Sequence, residues 1–552
     1  KAIRRQRQMC IRDSNYMRSL FFHIDASKIR CQSIKTTVLA IFVSMFAGCT
    51  DLTETPYTFI DPGSYYKTEE QLNTALTGVY AGFRSFASNW ALIYQLEIMT
   101  EHYSPGHTKQ NSKALNAWQN VNQSTTYNFQ IWDSGYDVIN RANVILGRGE
   151  GIDMAEQTRA QIYAQVRFIR AYTMFTMLRI YGGLAIPESY TSGLDGLEIP
   201  RKTADETYDY IIQDLEYCIA NLPTRSQWGS GAYYKASKGA AQALLGDVYL
   251  TRGCMNNNNT SDFQQAKKYL GEVIDSHEYE LLPDYKDLWY WYVEEAAKNT
   301  KESLFECQFG TNANNELHLY FGVMDTQKSL GSKQYHRASV SHQAYFSYLP
   351  EDTRLSCMLT EYLTDAGEKR YWVPENHGFY GGVTGGWLTS GPGNVKFYDR
   401  TEAAYTSGCA KANFILIRYS DVLLNYAEVE NYLNGPTSDA YEKLNEVHQR
   451  SLPTPVTSGL SKEDFDKAVY QERSWELLGE GQLYFDELRT NRLGKNVYEH
   501  VRKYFDLGYY LYDKLQFVPQ QSFLWKIPQT SLDSNPALEQ NPDNISDPNY
   551  PI

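Results

Sequence analysis

The chain has 552 residues but no run of 18 apolar ones, and its mean hydropathy is −0.52. That excludes a protein built on several membrane-spanning helices. It also lacks a His-Glu-x-x-His motif, a Walker phosphate loop, a Gly-x-Ser-x-Gly elbow, an EF-hand loop and a dinucleotide fingerprint. The ten histidines show no ligand spacing, so no metal site and no cofactor are expected. Of eight cysteines, five lie beyond Cys49 (Cys218, Cys254, Cys307, Cys357 and Cys409), widely spaced and without a Cys-x-x-Cys. An odd, scattered set argues against both a disulfide framework and a zinc site, and suits small core residues. None of these absences excludes a glycosidase, which needs only two carboxylates.

Aromatics are plentiful. With 45 Tyr, 23 Phe and 10 Trp the chain has ample material for a core, which excludes disorder over most of its length. Tyrosine is the outlier, and its apolar ring with a polar tip suits broad amphipathic contact surfaces. Net charge is −13, but residues 1–48 carry nine Lys/Arg against two Asp, so the rest of the chain stands at −20. An acidic body of that size repels polyanions, and nucleic acid is not an expected partner.

The basic start leads into Thr36–Gly48 (TTVLAIFVSMFAG), an apolar run of thirteen preceded by Lys28, Arg30 and Lys35. It is too short to span a bilayer and reads as a secretory signal. Cys49 directly after Ala47-Gly48 resembles a bacterial lipobox, in which that cysteine is acylated and anchors the protein. Asp51 and Glu54 follow, as in surface-exported lipoproteins of Bacteroidetes-type bacteria. Residues 1–16 fit no part of such a leader and read as artefactual, with Met17 the expected start.

From about residue 66 the periodicity is helical. Within Gln161–Tyr181 one apolar stripe runs through Ile162, Val166, Ile169, Thr173 and Ile180, and a second through Tyr163, Phe168, Tyr172, Phe175 and Leu178. Such a helix is sandwiched between neighbours. Ala241, Leu244, Leu245 and Val248 mark another, with Ala236, Ala240 and Ala243 on a flank where a partner can approach closely. Its partner opens after MNNNNTSD, with Asp262 as the expected N-cap. A similar pair recurs at Asp421–Leu433 and Ala440–Val447, broken by Gly435-Pro436. Paired helices with small residues at their crossings read as tetratricopeptide-like units. Between about 283 and 415 the stripes fade into aromatics among Gly, Pro and Asn, and the tail from Trp525 is expected to wrap the surface without helix.

Glu472, Glu476 and Glu480, spaced by four, are the strongest acid candidates. Three stacked carboxylates repel unless cations neutralise them. Arg473, Arg489 and Arg492 are the nearest, and the structural ion-pair reading is preferred to a catalytic pair.

The stretch ERSWELLGEGQLYFDELR (472–489) resembles the signature E-R-x-x-E-[LF]-x-x-E-G-x-R-[WF]-x-D-L-x-R of the SusD/RagB family of nutrient-binding outer-membrane lipoproteins. Ordered blocks at 166–187, 208–223, 235–253, 417–435 and 526–543 agree with it, and the lipobox completes the set. Three positions depart: His448 where an Arg is usual, Gln482 for the Arg after Glu-Gly, and Asp543 for a Gly. The resemblance implies a mainly α fold, a tetratricopeptide-like helical-repeat scaffold with an irregular, loop-rich ligand-binding half. Residues 49–552 would form a single domain, with repeats at about 66–282 and 416–493, an irregular insert at about 283–415 and a wrapping tail at 525–552. It also implies a non-catalytic protein that captures oligosaccharide at the outer surface of the outer membrane, held there by lipid on Cys49. The partner implied is a SusC-like TonB-dependent transporter. Alternatives remain a peptide-binding member serving a peptide importer, then an enzyme, then a bare helical scaffold.

A glycan site needs flat rings for sugar C–H faces and planar polar groups for hydroxyls. Stacking about 100 Å² on one ring gives about 2.5 kcal/mol, whereas millimolar affinity needs about 4. Two or three aromatics must therefore converge. The polar loop 101–118 offers Tyr103, Asn111 and Trp118, and the Gly-rich loop 376–394 offers Tyr380 and Trp387, with Trp372 close by. Each aromatic serves equally well as a core residue, as do some of Trp289, Tyr290, Trp291 and Tyr292.

Overall fold

The computed structural model describes residues 65–105, 126–190, 198–310, 315–321, 338–364, 366–376, 378–381, 387–389, 391–399, 410–506 and 523–542. The chain divides into Lys1–Tyr65 and Tyr66–Ile552, and the elements below belong to the second unit. Cys49 and the leader lie outside the described residues.

Among the described residues the frame is four pairs of packed helices. α1 (Glu69–Ala87) packs on α3 (Thr126–Arg148), and α4 (Glu156–Tyr181) on α5 (Ala204–Asn221). α6 (Lys238–Met255) packs on α7 (Thr260–Asp275), and α8 (Tyr419–Asn434) on α9 (Ser438–Ser451). Each pair also leans on the next, through α3 and α4, α5 and α6, and α7 and α8. Both stripes read in Gln161–Tyr181 are buried, as a helix covered on two sides requires. The close crossing of α6 and α7 is equally literal: a Cβ at Gly246 would lie 2.6 Å from Leu270 Cγ. Helix ends follow local chemistry. α5 starts with a reciprocal capping box between Thr203 and Glu206, and α8 stops at Gly435.

Two local expectations need correction. The N-cap of α7 is Asn259, whose side chain accepts from the amides of Ser261 and Asp262. Asp262 instead lies in the first turn, buried against Arg252 at 2.6 Å, because an aspartate facing an arginine gains more from the ion pair than from a cap. The tail contains a short helix, Gln529–Ser534, where none was expected. Trp525 is fully buried, and Asn541 Nδ2 donates to the carbonyls of Tyr181 and Trp525.

The chain leaves the frame after α7 and returns at α8. That excursion carries short strands and turns. β2 (Ser303–Cys307) pairs antiparallel with β10 (Phe414–Arg418), so the way out and the way back are stitched together. β1 (Tyr103–Pro105) pairs with β3 (Ala338–Val340), and β4 (Met358–Leu359) with β9 (Gly393–Asn394). A four-stranded antiparallel sheet runs β5 (Glu361–Leu363), β6 (Lys369–Val373), β7 (Gly378–Gly381), β8 (Trp387–Thr389). Trp289, Tyr290 and Trp291 are core residues here.

The excursion is clamped to the frame by ion pairs around α10 (Lys462–Glu476) and the turn after it. Glu476 is bonded by Arg354, Arg418 and Arg450, Glu480 by Arg418 and Lys396, and Glu472 by Arg354 and His448. Glu302 pairs with Arg418 and Arg450. All of these residues but the half-buried Arg450 are buried, and the Arg450 side chain is itself only 3% exposed. Left-handed backbone at Gly479 and Gly481, φ +87° and +76°, folds the turn so that Glu480, beyond the helix, joins the same cluster. The neutralising cations are not the expected ones. Arg473 holds Asp421 and Asp486, Arg489 holds Glu428 and Asp486, and Arg492 holds Asp466. Burial alone would raise the Glu476 carboxyl, but Arg450, Arg418 and Arg354 override it and hold it well below its ordinary range.

Candidate ligand-binding cleft

An open cleft of about 610 Å³ lies where α1 gives way to α2 (Trp90–Ile98). The sequence dictates the break. Ser88 closes α1 by donating from both its amide and its hydroxyl to Arg84 O, and Asn89 caps α2 by accepting from the Ala91 amide at 2.8 Å. The reversal leaves Trp90 at the rim, half-buried, with one face flat on Tyr320 (3.9 Å between centroids, 6° between planes). α3 contributes Gln130, Asp133 and Ser134, and the segment after β2 contributes Phe309. Arg84 also lines the cleft, donating to Gln308 O at 3.4 Å with its guanidinium 5.6 Å from the Phe309 ring. Ser85, Ser88 and Glu316 complete the lining.

The cleft pairs a tryptophan with amides, hydroxyls, one guanidinium and two carboxylates. Such a wall can stack an apolar ring face while bonding neighbouring hydroxyls, and its mixed charge favours no strong ion. None of these residues stands out from sequence alone. The signal that points to them is the Ser88-Asn89 helix break immediately before an aromatic.

The expected site residues fall elsewhere. Tyr103 is fully buried, edge-on to Phe321 at 5.5 Å, with its hydroxyl accepting from Asn394 Nδ2 at 2.9 Å. As placed it presents no ring face to solvent. Trp372 is 7% exposed, packed against Tyr345 and His342, with the 60%-exposed Phe346 beside it. Tyr380 and Trp387 are register partners across β7 and β8, and Tyr380 is also paired with Tyr371 on β6. Tyr371 is 42% exposed, so these three positions form one row across the sheet with an exposed aromatic at its end. Asn111 and Trp118 lie outside the described residues. The acid candidates Glu472, Glu476 and Glu480 are held in buried ion pairs.

This combination of stacked helix pairs and a clamped irregular segment defines a helical-repeat scaffold of the SusD type. The solved structure of a SusD homolog from Bacteroides thetaiotaomicron superposes with a TM-score of 0.74 at 23% identity, covering 87% of this chain and 98% of that one. Surface glycan-binding protein A from the same organism, solved in complex with laminarihexaose, gives 0.66 at 20% identity, covering 86% and 100%. In sequence, SusD-like protein P2 of Formosa agariphila is 24% identical over 486 residues, which is 84% of this chain and 92% of the relative. The family model "SusD family" matches residues 309–543, and "Starch-binding associating with outer membrane" matches residues 55–250. Over these two stretches, and along most of its length in the Formosa relative, the chain is similar to the SusD/RagB family.

Proposed function

We propose that the protein is a cell-surface lipoprotein that captures an oligosaccharide and delivers it to a TonB-dependent outer-membrane transporter. The observation that carries the ligand class is the cleft at Trp90: an aromatic braced by Tyr320, ringed by planar polar groups, in an opening large enough for a few sugar rings. The laminarihexaose-bound relative shares the scaffold and supports the same reading. The row Tyr371–Tyr380–Trp387 is proposed as a second contact platform, since one ring falls short of the roughly 4 kcal/mol that millimolar binding needs. Anchoring is assigned to an acylated Cys49, and delivery to a SusC-like partner in the same membrane.

Calorimetric titration of the mature protein with a panel of neutral oligosaccharides, laminarihexaose included, is the test. Saturable binding that weakens in Trp90→Ala supports the proposal. Binding of peptides with no response to any glycan would transfer the protein to a peptide-import role. Loss of membrane association in Cys49→Ala checks the anchor, and co-purification of a TonB-dependent transporter checks the partner.

A further inference from the structure

A second polar cluster lies apart from the residues that line the cleft. Glu101 and His102 follow α2, and both are pinned through their backbones: Ser341 N donates to His102 O at 2.9 Å, and Ser341 Oγ to Glu101 O at 2.6 Å. α11 (Leu483–Arg489) brings Glu487 to them. His102 Nε2 stands 3.1 Å from Glu487 Oε1 and 3.6 Å from Glu101 Oε1. One ligating atom from each of the three residues lies within 4.8 Å of the others. Neither oxygen of the fully buried Glu487 receives a hydrogen bond, and neither does Glu101 Oε2. A buried carboxylate with the His102 ring as its near neighbour gains from a cation that completes its surroundings.

We propose that Glu101, His102 and Glu487 form a buried site for a divalent transition-metal ion of the zinc class. Bonds of about 2.0–2.1 Å at tetrahedral angles set donors about 3.3 Å apart, which the two His102 separations bracket. Two carboxylates neutralise the ion, so the filled site is uncharged, as a buried site requires. Calcium wants six to eight oxygens, and an imidazole among three ligands selects against it. Glu101 Oε1 also accepts from Tyr470 Oη and Asn496 Nδ2, both at 2.9 Å, which fixes the carboxylate beside His102. Those two are positioning residues of the kind that orient metal ligands. The inference is independent of the glycan reading, because these ligands line no part of the cleft.

The test uses untagged, chelator-stripped mature protein titrated with Zn²⁺ by calorimetry. One ion per chain, taken up with a rise in melting temperature, is expected. Co²⁺ in the wild-type protein should give the visible absorption of a tetrahedral nitrogen–oxygen site. Glu487→Gln should abolish uptake, and Asn496→Ala should weaken it about ten- to a hundredfold. Absence of stoichiometric uptake and of the cobalt spectrum in the wild type overturns the proposal, and so does uptake unchanged in Glu487→Gln. Should Glu487→Gln fail to fold, His102→Gln takes its place, and the cobalt spectrum needs no variant at all.

Discussion

Two polar regions of the molecule hold similar residues and do opposite things with them. In the clamp around Glu476, arginines and glutamates are buried against one another, and they join residues more than a hundred positions apart, as Arg354 does with Glu472 and Glu476. In the cleft, Arg84, Asp133 and Glu316 stand in an opening among amides and hydroxyls. Arginine and carboxylate alone therefore do not mark a site. A polar group available to a ligand is one the fold has positioned but not consumed.

That contrast breaks first at the clamp. Glu476→Gln leaves Arg418 and Arg450 buried with too little negative charge, and removing one member of such a set costs about 3–5 kcal/mol. Urea unfolding should show that loss, and an unchanged midpoint would show that the cluster is not what holds the excursion down. Acid should have the next largest effect. Burial alone would raise both carboxyls, but the surrounding cations, Arg450 first for Glu476 and Arg418 first for Glu480, hold them below their ordinary value of 4.5. A group depressed in the folded state adds stability that is complete above its unfolded value. That stability should fade as the pH falls below about 4.5. Melting temperatures measured between pH 6 and 3 check this, and Glu476→Gln should flatten the slope.

How much of this was legible beforehand follows the same division. The helix pairs announce themselves, because the burial of Ile162 to Tyr181 is written in a 3.6-residue period. The partners of Glu472, Glu476 and Glu480 do not. Neighbours in sequence, Arg473, Arg489 and Arg492, serve other acids, while the true partners come from positions 354, 396, 418 and 450. Distance along the chain hides a tertiary ion pair. The departure at His448 is explained by the same cluster, where its Nδ1 meets Glu472 Oε2 at 2.6 Å. Tyr103 misleads for a related reason: a tyrosine in a polar stretch looks available, yet β1 carries it into the core beneath Asn394. Glu101, His102 and Glu487 form no motif, since the third ligand comes almost four hundred residues after the first two.

At the cleft the effects are smaller and fall on affinity. Trp90→Ala removes a stacking platform worth about 1–2 kcal/mol, so glycan affinity should fall roughly five- to thirtyfold. Tyr371→Ala tests the outer row and should cost a few-fold at most, since it sits at the row's exposed end. If Tyr371→Ala outweighs Trp90→Ala, the principal platform is the sheet and the cleft is secondary.

Salt should do least of all. An uncharged sugar gains nothing from long-range attraction, and hydrogen bonds made at contact are not screened by an ionic atmosphere about 10 Å deep at 0.1 M. Raising NaCl from 0.05 to 0.5 M should therefore leave glycan affinity within about twofold. A charged peptide meeting a body at −20 beyond residue 48 would respond strongly. The ionic-strength series thus separates the two ligand classes, and a steep slope would place the ligand's recognition in charge rather than in stacking.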